Sequence, residues 1–250
     1  MRQDGETLKR PVTDDPSVKT LPQALRAIVR RQPHRVAMRR KDYGIWHDIT
    51  WQEYYDNVKK TAMGLYALGV RRGDRVAIVG ENKPEWLYSA LGVMSLGATF
   101  VGVYTTNPAP ECEYVVGHSE SVVFFCEDEE QFDKALTFRD RTPNLRRCVV
   151  WDMEGLKHFK DPILMSFDDL LRLGGETDAQ NPDLFEILLD DGEGKDIASI
   201  IYTSGTTGPP KGAMIAHENY LWIARQTRKI TRMSADDETI SFLPLNHVYE

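Results

Sequence analysis

Helical and strand-like patterns alternate along most of this chain, and that alternation limits the possible folds more than any other feature. Thr50 and Glu53 form a capping box, after which apolar residues recur at helical spacing until Gly69. The next predicted segments, alternately strand and helix, are 75–79, 84–96, 99–103, 110–118, 122–126, 129–136 and 147–151. Strands that alternate with helices form βαβ units, so the sequence predicts an α/β fold with a largely parallel sheet covered by helices on both faces.

Composition agrees with a globular domain. The chain has 250 residues, of which 41% are hydrophobic and 28% charged, so it can bury a core and is not a disordered segment. A net charge of -7 argues against nucleic acid as a partner, because no basic stripe could neutralise phosphates. The basic clusters 30–31 and 39–41 are interpreted as solvated helix ends and turns.

The chain has three cysteines, Cys112, Cys126 and Cys148, and no two of them form a C-x-x-C pair. This spacing indicates reduced thiols in a cytoplasmic protein. They imply neither a disulfide framework nor a metal cage. Residues 1–20 contain acidic and basic side chains but no apolar core, so no secretory signal is predicted. Residues 86–110 lack charge, but their helix and strand signals favour a buried helix and strand over a membrane span.

A glycine- and hydroxyl-rich segment lies near the end of the chain, between a predicted strand at 197–202 and another at 212–216. It runs from Tyr202 to Gly212 and reads Tyr-Thr-Ser-Gly-Thr-Thr-Gly-Pro-Pro-Lys-Gly. Glycines let backbone N–H groups approach an anion, and the hydroxyls and one lysine add donors and positive charge. The segment therefore predicts a phosphate-binding loop. It is not a Walker A loop, because Pro210 and Gly212 flank Lys211 where that motif has glycine and Ser or Thr.

These eleven residues resemble the signature of the adenylate-forming superfamily, which includes acyl-CoA synthetases, luciferases and the adenylation domains of peptide synthetases. Residues 243–250, Leu-Pro-Leu-Asn-His-Val-Tyr-Glu, resemble the Leu-Pro-Leu-x-His-x-x-Glu element of long-chain fatty acyl-CoA synthetases. Residues 74–106 are also similar to the early part of these synthetases. The resemblance covers the chain from about Leu21 onward. It implies the N-terminal large domain, in part, of an adenylate-forming enzyme.

The resemblance also implies a reaction and its site. A fatty acid carboxylate attacks the α-phosphate of ATP, and the thiol of coenzyme A then displaces AMP to give acyl-CoA. Mg²⁺ accompanies ATP, and Thr203 is its expected ligand. His247 and Lys211 are the expected catalytic residues, with His247 at the floor of the acyl and adenylate site. The expected nucleotide-binding residues, of which the last four surround the β- and γ-phosphates, are Thr203, Ser204, Gly205, Thr206, Thr207, Gly208 and Lys211.

The polar stretch from Gly174 to Pro182, followed by the charged and glycine-rich residues 190–195, predicts a boundary between two subdomains. We expect an N-terminal extension at 1–20, a first α/β subdomain at 21–174, a linker at 175–196 and the start of a second subdomain at 197–250. That second part contains the phosphate-binding loop and a predicted strand at 239–243. The family's adenine-binding, ribose-binding and C-terminal lysine motifs would follow residue 250. Residues 1–250 are therefore interpreted as part of a longer ligase and are expected to be inactive alone.

Two other functions stay open. One is a fatty acyl-AMP ligase, which passes its acyl group to a carrier protein, or another carboxylic acid:CoA ligase, such as a synthetase for bile or aromatic acids. The other is a non-catalytic regulatory protein that binds a nucleotide. The resemblance does not predict the acyl chain length, because the tunnel that selects it would lie largely beyond residue 250. Peripheral membrane association and a homodimer are also left open by the resemblance.

Overall fold

The computed structural model describes residues 11–203, 208–234 and 236–246. The helices are α1 (Leu21–Arg31), α2 (Trp51–Ala67), α3 (Pro84–Ser95), α4 (Ala109–His118), α5 (Glu129–Phe138), α6 (Phe167–Gln180), α7 (Leu184–Asp190) and α8 (His217–Thr231). The strands are β1 (Val36–Asp42), β2 (Ile45–Thr50), β3 (Arg75–Val79), β4 (Thr99–Val103), β5 (Val123–Cys126), β6 (Arg147–Val150), β7 (Leu164–Ser166), β8 (Ile197–Thr203) and β9 (Lys211–Ala216). Short 3₁₀ turns lie at Val12–Asp14 and Arg139–Arg141.

A seven-stranded sheet in the order β7-β6-β5-β3-β4-β8-β9 organises the chain, and β1 and β2 form a separate hairpin. Every pairing in the large sheet is parallel except that of β9 with β8, which is antiparallel. The predicted α/β fold with a largely parallel sheet is therefore confirmed. The predicted strands and helices between 75 and 151 are present with ends shifted by two residues or fewer.

Helices cover both faces of this sheet, as the alternation of side chains along a strand requires. In β3, Val76 and Ile78 belong to a cluster packed under α2, α3, α6 and α7. Ala77 and Val79 belong to a second cluster packed under α4 and α5. The four side chains are fully buried. The central strands thus have apolar layers above and below, which explains their continuous hydrophobic runs.

Local signals set the helix ends around this core. The hydroxyl of Thr50 accepts a hydrogen bond from the backbone N–H of Glu53, and the Glu53 carboxylate accepts one from the backbone N–H of Thr50. This reciprocal pair is the predicted capping box. Pro84 occupies the first position of α3, where its missing N–H costs nothing. Gly97 follows α3 at φ +65°, a left-handed conformation that favours glycine.

The predicted linker at 175–196 differs from the structure. Most of it is helical, because α6 continues to Gln180 and α7 occupies 184–190. Strand β8 then pairs with β4 in the first sheet, so residues 197–216 extend that sheet and do not begin another. Gly174 misled the sequence analysis: in α6 it allows close packing on α2, since a Cβ atom there would overlap the carbonyl oxygen of Lys60.

Two further expectations are corrected. Residues 39–41 lie in β1 and not in a turn, because they pair with residues 46–48 of β2. The predicted strand at 239–243 is an exposed segment without β pairing to any described residue. Ile240 and Phe242 are 84% and 77% exposed there, so apolar composition alone misidentified the segment. Within the described ranges, no helix combines the length and apolar character needed to cross a bilayer.

Candidate active site

The candidate site lies at the edge of the large sheet where its parallel strands end. Strands β3, β4 and β8 run in one direction, so their carboxyl ends meet at this edge. The chain leaves β3 toward α3 on one face and leaves β4 toward α4 on the opposite face. Such a divergence opens a crevice between neighbouring strands, which is the usual ligand position in an open α/β sheet.

Thr203 and Lys211 lie opposite each other at this edge. Thr203 ends β8, Lys211 begins β9, and the two residues are a cross-strand pair in the antiparallel ladder. Directly opposed residues project to the same face, with Cβ atoms typically about 5 Å apart. Both side chains are exposed. Neither makes an ion pair or a side-chain hydrogen bond with another described residue, so a hydroxyl and an ammonium group are available to one ligand.

The two strands predicted on either side of the glycine-rich segment are confirmed by β8 and β9. Gly208 lies at φ +88°, a region that strains residues with a Cβ atom. Gly212 serves packing, since a Cβ atom there would lie 2.7 Å from Cγ2 of Ile200. The two glycines therefore meet different requirements, one in the backbone and one in the contact between strands.

Part of the predicted site falls outside the described residues. This applies to five of the predicted site residues, Ser204, Gly205, Thr206, Thr207 and His247. Asn246, which precedes His247, is buried over β4, and a Cβ atom on Gly102 would lie 2.8 Å from the Cβ atom of Asn246. No described group donates a hydrogen bond to its buried Oδ1 atom.

Asn82 is a residue of this crevice that the sequence analysis did not single out. Its Nδ2 atom donates to the carbonyl oxygen of Leu243 at 2.7 Å, and its Oδ1 atom accepts from the backbone N–H of Leu245 at 3.1 Å. Asn82 thereby fixes the segment before His247 over the carboxyl ends of β3 and β4. Its position three residues after a predicted buried strand was the available signal, because such positions line the crevice.

A charged network joins the loops after β3, β4 and β5. One Glu127 carboxylate oxygen accepts from the backbone N–H of Glu81 at 2.6 Å, and the other pairs with Nζ of Lys83 at 2.6 Å. The Thr105 hydroxyl donates to Glu81 at 2.8 Å. Because Lys83 is already paired, it is a weaker candidate for a nucleotide phosphate than Lys211.

Burial determines the protonation of two residues near β8 and β9. Desolvation raises the pKa of Tyr202 to about 12, so its hydroxyl keeps its proton. His217, the first residue of α8, is buried, and desolvation lowers its pKa to about 4. Its Nδ1 atom accepts from the backbone N–H of Leu21 at 3.3 Å. His217 is therefore a neutral structural histidine that ties α8 to α1.

Two cavities lie at different distances from the Thr203 and Lys211 pair. A cavity of about 1280 Å³ lies between the β1–β2 hairpin and residues 238–245. Its lining includes charges of both signs, several of them paired, such as Arg39 with Asp48. A smaller cavity of about 370 Å³ is lined by Tyr202 and Pro210, beside the Thr203 and Lys211 pair. The smaller cavity therefore adjoins the Thr203 and Lys211 pair, whereas the larger one adjoins Asn82.

The chain is similar to proteins of a known family. The profile of the family described as AMP-binding enzyme matches residues 25–250. A human protein named long-chain-fatty-acid–CoA ligase ACSBG2 is 33% identical over 98% of this chain. That alignment covers 37% of the human protein, so the chain spans little more than a third of its relative's length.

Solved structures show the same fold. The anthranilate CoA ligase AuaEII, determined with anthranoyl-AMP, aligns with a TM-score of 0.71 and 26% identity over 86% of this chain and 38% of its own. A long-chain-fatty-acid–CoA ligase (FadD1) from Archaeoglobus fulgidus also aligns with a TM-score of 0.71, at 20% identity over 93% of this chain and 43% of its own. These matches, together with the profile over residues 25–250, show that the chain belongs to the AMP-binding enzyme family and has the adenylate-forming fold.

Proposed function

We propose that this chain is the part of an ATP-dependent long-chain fatty acid:CoA ligase that holds the nucleotide phosphates. The observation that carries the proposal is the opposition of Thr203 and Lys211 at the carboxyl edge of the sheet. The names of the curated relatives supply the substrate class, and the human one is a long-chain-fatty-acid–CoA ligase. Since this chain spans about 37% of that relative, the activity is proposed for the whole protein.

The proposed reaction has two balanced steps. A carboxylate oxygen of the fatty acid bonds to the α-phosphorus of ATP, and the bond between that phosphorus and the α,β-bridging oxygen breaks, which releases pyrophosphate. The coenzyme A thiolate then bonds to the acyl carbon, and AMP leaves with the former carboxylate oxygen. Negative charge grows on pyrophosphate during the first step, so Lys211 would stabilise the transition state more than bound ATP.

Thr203 is the proposed Mg²⁺ ligand within this scheme. The described residues hold no cluster of three or more His, Cys, Asp or Glu side chains suited to a metal. One exposed hydroxyl opposite a lysine instead fits Mg²⁺ that is bound mainly by phosphate oxygens and water. The metal would supply charge neutralisation. Thr203 would orient it, and Lys211 would contact the phosphates on the same face of the hairpin.

The direct test is pyrophosphate exchange into ATP by the whole protein that contains residues 1–250, with and without palmitate. Palmitate-dependent exchange, followed by palmitoyl-CoA formation when coenzyme A is added, is the expected result. Exchange without thioester formation would favour a fatty acyl-AMP ligase. Exchange with anthranilate or benzoate but not palmitate would favour another carboxylic acid:CoA ligase, and ATP binding without exchange would favour a regulatory protein.

We also propose a cytoplasmic location, consistent with three buried free cysteines. Peripheral membrane attachment is the alternative to this location. A homodimer is a separate proposal, which concerns the oligomeric state. Co-sedimentation with lipid vesicles and sedimentation equilibrium of the whole protein test them separately.

A further inference from the structure

Both ends of the phosphate-binding segment are attached to one helix. On the β9 side, the Tyr114 hydroxyl donates a hydrogen bond to the carbonyl oxygen of Pro210 at 3.0 Å. On the β8 side, a hydrogen bond of 2.7 Å joins the Tyr202 hydroxyl and Nδ1 of His118. Tyr114 and His118 are four residues apart on α4, so they lie on the same face of that helix.

The three rings form one aromatic group, here called the Tyr–His cluster (Tyr114, His118 and Tyr202). The rings of Tyr114 and His118 stack with centroids 5.2 Å apart. Tyr202 meets Tyr114 edge-on at 6.2 Å and His118 edge-on at 5.7 Å. Edge-on and stacked rings have preferred geometries, so the cluster restricts the position of Tyr202 beyond what burial alone would do.

The hydrogen bonds made by Tyr114 and His118 lie where few other contacts hold the ends of β8 and β9. Pro209 and Pro210 have no backbone N–H, so they cannot donate to the β8–β9 ladder beyond Lys211. Tyr114, Tyr202 and Pro210 also line the cavity of about 370 Å³, so packing there is incomplete. The two hydrogen bonds of the cluster therefore supply fixed points beside the residues that end β8 and begin β9.

The helix that carries these groups is itself anchored. Cys112, Val115 and Val116 bury its inner face in the core. On its outer side, the Glu113 carboxylate accepts two hydrogen bonds of 2.6 Å from the Arg141 guanidinium. A rigid helix that contacts both strand ends can hold them at a fixed separation.

We infer that Tyr114 and His118 are positioning residues that set the placement of Thr203 and Lys211 for the phosphates of a nucleotide. Tyr202 directly precedes Thr203, and Pro210 directly precedes Lys211. A fixed hydrogen bond on each neighbouring residue therefore constrains the backbone beside both candidate ligands. This inference rests on the proposed function, because it concerns the same phosphates. Small displacements matter at such a site, since a misplacement of about 1 Å can cost about a hundredfold in rate.

The test compares ATP with AMP, because AMP lacks the phosphates that Thr203 and Lys211 are proposed to contact. Tyr114→Phe removes one hydrogen bond and keeps the ring. His118→Leu removes the other, whereas His118→Asn retains a polar group close to the position of Nδ1. In the whole protein, we expect the double variant Tyr114→Phe/His118→Leu to weaken ATP binding about tenfold, in line with the loss of one or two hydrogen bonds.

The same double variant should bind AMP within about twofold of the unchanged protein. His118→Asn should restore most of the ATP affinity that His118→Leu loses. Equal losses for ATP and AMP would overturn the inference and indicate a merely structural cluster, as would no loss for either. A thermal unfolding curve for each variant identifies any that fail to fold, and Tyr114→Phe alone then carries the comparison.

Failure of the proposed function would look different. The unchanged protein would then show no palmitate-dependent pyrophosphate exchange, whatever the variants do. The ATP and AMP affinities would still decide the role of the Tyr–His cluster, because they require binding and not turnover.

Discussion

The central strands and the β8–β9 hairpin have opposite properties in one sheet. In β3, the residues from Val76 to Val79 are fully buried between two helical layers, and the strand contributes no predicted ligand. In β9, Lys211 is exposed and Met214 is 69% exposed, with β8 as the neighbouring strand. Stability therefore resides mainly in the buried strands and their helices, whereas the candidate ligands lie where little packing holds them. Substitutions in the two regions should separate stability from activity.

The largest expected effect on stability comes from the helices that cover the buried strands. Gly174 of α6 lies against α2, and a Cβ atom there would overlap the carbonyl oxygen of Lys60. Because that obstacle is backbone, it cannot rotate away, so Gly174→Ala should lower the free energy of unfolding by about 4 kcal/mol. Urea unfolding of residues 1–250 measures this.

The next residue provides the matched control. A Cβ atom on Gly175 would meet no atom within 4 Å, and Gly175 lies in the same helix. Alanine is the better helix former, so Gly175→Ala should raise the free energy of unfolding by about 0.5–1 kcal/mol. Similar effects at both positions would contradict the close packing of α6 on α2.

Acidification should have a somewhat smaller effect on the free energy of unfolding, through His217 at the start of α8. Burial lowers the pKa of His217 to about 4, against its ordinary value of 6.5. Between these values the unfolded chain binds the proton more tightly than the folded chain. The buried histidine therefore does not lower the free energy of unfolding above pH 6.5. As pH drops from 6.5 to 4, the free energy of unfolding falls by about 3 kcal/mol.

His217→Asn should remove that part of the pH dependence, since asparagine does not titrate and can still accept the N–H of Leu21. Urea unfolding between pH 4.5 and 8 provides the measurement. His47→Asn is the control substitution, because His47 is exposed on β2 and its replacement should change the free energy of unfolding by less than about 0.5 kcal/mol. If the unchanged chain and His217→Asn lose stability in parallel on acidification, the assignment of His217 is wrong.

The smallest effect on stability belongs to the candidate site. Lys211 is exposed and makes no ion pair with a described residue, so Lys211→Ala should change the free energy of unfolding by less than about 0.5 kcal/mol. A thermal or urea unfolding curve tests this. A loss as large as that of Gly174→Ala would remove the proposed contrast between the two regions.

The sequence predicted the buried part of the fold more reliably than its periphery. Continuous apolar runs such as 76–79, which lies between Gly73 and Pro84, identified strands because burial on both faces leaves little room for polar residues. Polar residues and glycines at 174–182 suggested a linker, but Gly174 serves helix contact. At 239–243, apolar residues suggested a strand where the structure has exposed chain.

The sequence predicted one part of the candidate site and missed another. The glycines and the lysine indicated a phosphate loop, and the strands on either side placed Thr203 and Lys211 close together. Asn82, Tyr114 and His118 were not predicted, because their roles come from contacts between segments far apart in the sequence. Tyr114, for example, bonds to Pro210, 96 residues away. Only a tertiary structure brings such pairs together.

The most direct test of the account is the adenylation rate of Lys211→Ala in the whole protein, measured as palmitate-dependent pyrophosphate exchange. Lys195→Ala is the matched control, because Lys195 is also exposed and lies just before the opposite end of β8. We expect Lys211→Ala to reduce the rate by about 10- to 1000-fold while thermal unfolding is unchanged, and Lys195→Ala to leave both unchanged. An adenylation rate unaffected by Lys211→Ala would contradict the assignment of this edge of the sheet as the phosphate site.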